Sequence, residues 1–166
     1  MRLSIRSKAA VGFIVTLLAG MLTPQPAAAV EVPWYGVGSG EFAVSLAAGR
    51  FTAMADGKAG HLGRGTFEIV LDLAPSPAGP LSREVSGDVI FTSPSGDELF
   101  MHLTGTITYN PNARRIDGSA DIEVEGGTGR FARALGFAPF NIHALVDDSG
   151  VAGMLWFDFD GRWILP

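Results

Sequence analysis

Arg115-Ile116-Asp117-Gly118-Ser119-Ala120-Asp121-Ile122-Glu123-Val124-Glu125 decides how this chain is read. Ile116, Ala120, Ile122 and Val124 fall on one register, and Asp117, Ser119, Asp121, Glu123 and Glu125 fall on the other. A period of two fits a β-strand with one face on a core and the other in water. A surface helix would instead space its apolar residues three and four apart, and no stretch beyond residue 40 does so over a useful length.

The same alternation extends in both directions. Upstream lie Phe42, Val44, Leu46 and Ala48, then Gly63, Gly65, Phe67, Ile69, Leu71 and Leu73, then Val85, Val89 and Phe91, then Leu99, Met101, Leu103, Ile107 and Tyr109. Downstream lie Phe140, Ile142, Ala144 and Val146, and finally Val151, Leu155, Phe157, Phe159 and Trp163. Gly, Pro, Asn and Asp punctuate these runs at 75–80, 94–97, 110–112 and 147–150, as turns between strands require. The one candidate helical turn is 132–135. With a break near Gly49, the count is seven or eight antiparallel strands. Gly63, Gly65, Gly87, Gly105, Gly118 and Gly153 all share the inward register by parity. Inward glycines let strands bend over a core, so the expected fold is all-β, a closed antiparallel barrel and not a flat sandwich.

The first 29 residues read differently. Arg2, Arg6 and Lys8 precede an uncharged apolar run from residue 9 to 22, and Ala27-Ala28-Ala29 supplies small residues for cleavage after Ala29. This is the pattern of a signal peptide. The run is shorter than the roughly 20 residues of a membrane span, so no span is expected after cleavage, and the product is expected to be secreted or periplasmic. The division is then signal peptide 1–29, N-terminal extension 30–39 and barrel domain 40–166. Removing Arg2, Arg6 and Lys8 leaves nine basic residues against seventeen acidic ones, a net of −8. Phosphate backbones demand a basic face, so nucleic acid is not an expected partner. The chain has no cysteine, so no disulfide holds it.

Two segments carry a family resemblance. Gly60-His61-Leu62-Gly63-Arg64-Gly65-Thr66 and Gly126-Gly127-Thr128-Gly129-Arg130-Phe131-Ala132-Arg133-Ala134-Leu135-Gly136 together resemble the allene oxide cyclase-like barrel family, including its small exported bacterial members. The second also looks like the Gly-Gly-Thr-Gly-Arg-Phe segment of plant dirigent proteins. The resemblance covers roughly residues 40 to 164 and implies an eight-stranded, calycin-like barrel with an apolar lumen. It also implies the chemistry of the characterised plant members, ring closure or radical coupling of bound small molecules, often in dimers or trimers. The cyclases use a carboxylate and an asparagine-held water near the first strand. Between Trp34 and Leu46 this chain has only Glu41 and no Asn, so no catalytic residue carries over.

Several individual residues admit both a functional and a plainer structural reading. By parity with Gly63, Gly65 and Phe67, His61 points an imidazole into the lumen, where it could act as acid, base or orienting donor. The plainer reading is a strand-end histidine satisfying a carbonyl. Phe67, Phe91, Met101, Tyr109, Phe157 and Phe159 share the inward register and suit either a ligand pocket or a packed core. Gly126, Gly127, Gly129, Arg130 and Phe131 read as a structural turn sealing one barrel end, with Arg130 tied to a carboxylate, and not as a dinucleotide loop, which needs a parallel strand and a full helix. His102 and His143 fall on polar registers.

No His or acidic spacing suggests a metal, no cofactor is expected, and the absence of Gly-x-Ser-x-Gly disfavours a hydrolase. Phe100, Met154 and Trp156 on outward registers would mark a homo-oligomer interface if they formed one patch. The leading expectation is a barrel that binds a small apolar molecule or mediates assembly, without a demonstrable catalytic site. The alternatives are a cyclase-like isomerase acting on an oxylipin- or polyketide-type substrate, and a purely structural barrel.

Overall fold

The computed structural model describes residues 30–165; the expected signal peptide, 1–29, and the cleavage expected after Ala29 lie outside the described residues. Eight strands follow in order: β1 (Val30–Ser45), β2 (Arg50–Ala59), β3 (Gly63–Pro75), β4 (Ser82–Thr92), β5 (Glu98–Asn110), β6 (Arg115–Gly127), β7 (Leu135–Val146) and β8 (Ala152–Leu165). Each pairs antiparallel with the next, and β8 returns to β1 from Val30↔Leu165 to Ala43↔Ala152, closing the barrel. The count is eight because 46–49 is a turn, with Gly49 at φ 61.

Residues 30–39 are not an extension. They form the first half of β1, paired with β8 throughout and with β2 from Gly36 onward. The run Gly36-Val37-Gly38-Ser39-Gly40 reads as a linker by composition, yet its glycines alternate on the inward face between Trp34 and Phe42. A Cβ on Gly36 would stand 2.6 Å from Phe159 Cε1, and one on Gly38 would stand 2.8 Å from Phe157 Cε1. The strand register pairs Gly36 with Phe159 and Gly38 with Phe157. Each ring therefore lies across the bare backbone of its neighbour, which lets large aromatics fill a small barrel.

Gly65 and Gly118 likewise give up space to Phe91 and to Ile107 and Ile142. Gly63 departs from the parity expectation. It opens β3 at φ 82, and a Cβ there would meet open space, so it serves the turn's backbone and not the packing.

Aromatic rings pack through the middle of the interior: Phe67 against Phe91 at 4.9 Å, Phe67 against Phe157 at 5.0 Å, and Phe140 against Phe157 at 5.1 Å between centroids. The first is tilted, the second edge-on and the third stacked, and such pairs add to the burial of area itself. One end is closed by a single turn of 3-10 helix, η1 (Gly129–Phe131), three residues ahead of the expected 132–135. Gly129 sits at φ 51 with Asp97 against its Cα, which only glycine tolerates, and Phe131 N–H donates to Thr128 O at 2.8 Å. Phe100 on β5 faces Ile90 and Gly126, whereas Met154 and Trp156 lie on β8 beside β1 and β7. Strands β6 and β7 separate them, so the three do not form one patch.

Candidate functional site

The two ends of the barrel differ, and the difference locates the site. At the η1 end, Trp34, Leu62, Leu99, Phe131, Ala134 and Trp163 are buried. Trp34 contacts Phe159 at 4.6 Å and Trp163 at 5.5 Å. Arg130 locks this plug: its Nη2 donates to Leu62 O at 2.8 Å, its Nε lies 3.7 Å from Asp97 Oδ2, and its guanidinium stands 4.6 Å from the Phe131 ring centroid. Gly126 at φ 132 lies beside the register shift in the β5–β6 pairing at Phe100/Met101, which turns the chain inward toward η1. A Cβ on Gly127 would meet Glu98 O and Phe131 Cβ. The motif Gly126, Gly127, Gly129, Arg130 and Phe131 thus forms a packed lid over this end.

The opposite end, carrying the turns 46–49, 76–81, 111–114 and 147–151, holds a cup of about 260 Å³. Its walls are Phe42, Val44, Leu73, Ile107, Tyr109, Ile116 and Val146; its rim is Leu46, Pro80, Leu81, Arg83 and Gly150. Leu46 and Leu81 remain 68% and 49% exposed, apolar side chains held at a mouth rather than folded in. At this level Val44, Leu73, Ile107, Ile116 and Val146 meet with Phe42 and Tyr109, and side chains mostly smaller than the phenyl rings of the middle leave the cup. Phe42 and Phe51 stack at 5.3 Å beneath it. The volume lies below the roughly 300–1,000 Å³ of drug-sized ligand pockets, so an occupant would be small.

Of the residues singled out for a pocket, Tyr109 alone lines the cup. Phe67, Phe91, Met101, Phe157 and Phe159 are fully buried in the packed middle, which is filled and not hollow. His61 does not enter the lumen. It occupies the exposed turn between β2 and β3 at φ 65, and Leu62 is the residue that turns in. Counting alternation back from Gly65 fails there because the chain takes left-handed conformations at His61 and Gly63 and leaves the strand geometry. The imidazole therefore cannot serve as a proton handler for a lumen-bound molecule.

Two polar clusters on the outer wall were not legible as clusters in the sequence. Ser86 Oγ lies 3.1 Å from His102 Nε2, and His102 Nδ1 lies 3.3 Å from Asp88 Oδ1. The order resembles a hydrolytic triad, but β4 pairs with β3 and β5 at these residues. Its amides are thereby committed to the sheet, and no oxyanion hole faces Ser86. In the second cluster, His143 Nδ1 lies 2.7 Å from Asp117 Oδ1, Arg115 Nε donates to Asp117 Oδ2 at 2.7 Å, and Trp156 stacks on His143 at 5.7 Å. The His143 hydrogen bond first, and then Arg115, hold the Asp117 carboxyl below its usual value against the opposing effect of burial. Among the described residues, no three His, Asp or Glu side chains converge as metal ligands would.

The chain was then compared with known proteins. The sequence matches no family model and no curated protein. The fold is similar to a dirigent protein. That solved structure, of a pterocarpan synthase dirigent protein, is 12% identical, covers 82% of this chain and 85% of its own, and superposes with a TM-score of 0.46. The eight-stranded closure described above stands on the chain's own register and not on that likeness.

Proposed function

We propose that this protein is a small-molecule-binding barrel, exported from the cytoplasm, whose ligand occupies the cup at the open end. One observation carries the reading: a barrel packed through its middle and sealed at one end keeps an apolar hollow at the other, ringed by the exposed leucines Leu46 and Leu81. Exposing apolar side chains around an unfilled hollow costs hydrophobic free energy, and a greasy ligand recovers it. The cup contains no histidine and no acidic side chain, so its walls offer shape and apolar surface in place of a proton-transfer pair. Binding and holding is the activity these walls support, with Tyr109 the one hydroxyl among them.

The test is a calorimetric titration with 4-phenylbutan-1-ol, an uncharged molecule of suitable size, against the natural chain and a Leu73→Trp variant whose indole fills the cup. Binding to the natural chain that is lost in the folded variant is the expected outcome. Equal binding to both would place the molecule elsewhere and sink the proposal.

A further inference from the structure

Resting on the reading of the cup as a binding site, we infer that its ligand is an amphipathic carboxylate whose apolar body fills the cup and whose anionic head sits on Arg83. Arg83 lies on β4 opposite Pro75 of β3 and Ile107 of β5, in register with the inward-facing Ile107 and Val85, so the sheet aims it at the mouth rather than at the outer wall. It is the one charged side chain of the lining.

Its guanidinium is fixed by its own loop. Nη1 donates to Pro80 O at 2.8 Å and to Ser82 O at 2.7 Å. These two bonds use one nitrogen, and among the described residues Nε and Nη2 donate to no protein acceptor. The other arginines near carboxylates are spoken for: Arg50 with Asp72, Arg114 with Asp148, Arg115 with Asp117, Arg130 with Asp97 and Arg162 with Glu31. Among the described residues Arg83 has no such partner; Arg64 and Arg133 have none either, so its place at the mouth is what sets Arg83 apart.

Of the acidic residues next in sequence to the lining, Asp72 pairs with Arg50, Asp117 with Arg115 and Asp147 with Ser149, while Glu84 is exposed on the other register of β4. Arginine stays protonated at any working pH, and the edge formed by Nε and Nη2 is the fork that grips a planar carboxylate through two parallel hydrogen bonds. A cation half-buried against an apolar wall attracts an anion more strongly than one in open water. An uncharged ligand would leave that fork unmatched, and a cationic ligand would be repelled.

The decisive comparison uses two probes that differ only in the head, 4-phenylbutyrate and 4-phenylbutan-1-ol, titrated into the full chain by calorimetry. The acid should bind roughly tenfold or more tightly than the alcohol, the gain of a charge-assisted hydrogen-bonded pair. Arg83→Gln should abolish that preference. Arg83→Lys, which keeps the charge and loses the fork, should retain only part of it. Equal affinities in the natural chain would overturn the carboxylate assignment yet leave the cup intact as an apolar site. A preference that persists in Arg83→Gln would overturn the role of Arg83. Failure of both probes to bind would overturn the cup and the carboxylate together. The acid-to-alcohol ratio of the natural chain decides the matter even if a variant does not fold.

Discussion

Arg130 and Gly38 show how single residues hold this barrel in shape. Arg130 joins three things that close the η1 end: the carbonyl of Leu62, the carboxylate of Asp97 and the face of Phe131. Its side chain is about half exposed (47%), so the ion pair contributes little and the hydrogen bond to a buried-side carbonyl contributes more. Arg130→Ala should cost about 1–2 kcal/mol, read as a fall in the urea midpoint with an unchanged slope. Gly38 contributes by absence. Gly38→Ala would drive a methyl into the Phe157 ring and should cost about 1–3 kcal/mol by overpacking. Pairing it with Phe157→Leu should recover part of that loss, a coupling that a double-mutant cycle measures. The inward position of Gly65 and Gly118 was legible from parity alone, whereas that of Gly38 was not, because 30–39 read as an extension. The orientation of His61 was not, because one left-handed residue resets the count, and alternation carries no information about φ.

Strand β1 is the element on which closure depends. Its outer half, 30–39, provides Trp34 to the sealed end and makes ten of the register pairs with β8, from Val30↔Leu165 to Ser39↔Trp156. A chain begun at Val30 should fold cooperatively. A chain begun at Gly40 should not, because β8 would keep an unpaired edge over most of its length and Phe157 and Phe159 would lose the backbone beneath them. Circular dichroism and thermal unfolding of the two chains separate these outcomes. Composition hid this half-strand: with glycine taken as a breaker the segment read as an extension, although here Gly36 and Gly38 each underlie a ring of β8 and Gly40 lies against the backbone of Met54 and Ala55. β6, by contrast, was legible throughout, since its acidic outer face and aliphatic inner face leave one arrangement open.

At the scale of the molecule, the barrel is asymmetric along its axis. Aromatic residues are concentrated in the middle and at the η1 end, while aliphatic residues, Tyr109 and Arg83 line the other. The closed all-β architecture could be read from alternation, turns and inward glycines. Filled and hollow levels could not, because an inward Phe and an inward Leu obey the same period, and what empties a level is the set of side chains that meet there from eight strands. Tyr109 was accordingly grouped with five residues that belong to the packed core. Arg83 was not recognised at all, although its odd-numbered place with Val85 and Val89 put a cation on the inward register.

The central claim is that ligand enters at the end opposite η1. Its most direct test is a methyl-detected NMR titration of the full chain with 4-phenylbutyrate. Shifts should concentrate on Ile107, Ile116, Val146 and Leu73, with Val89, Ile122 and Val124 in the packed middle nearly still. Shifts centred instead on Leu62 and Leu99 beside Phe131, or scattered along the outer wall with the cup methyls unmoved, would contradict it.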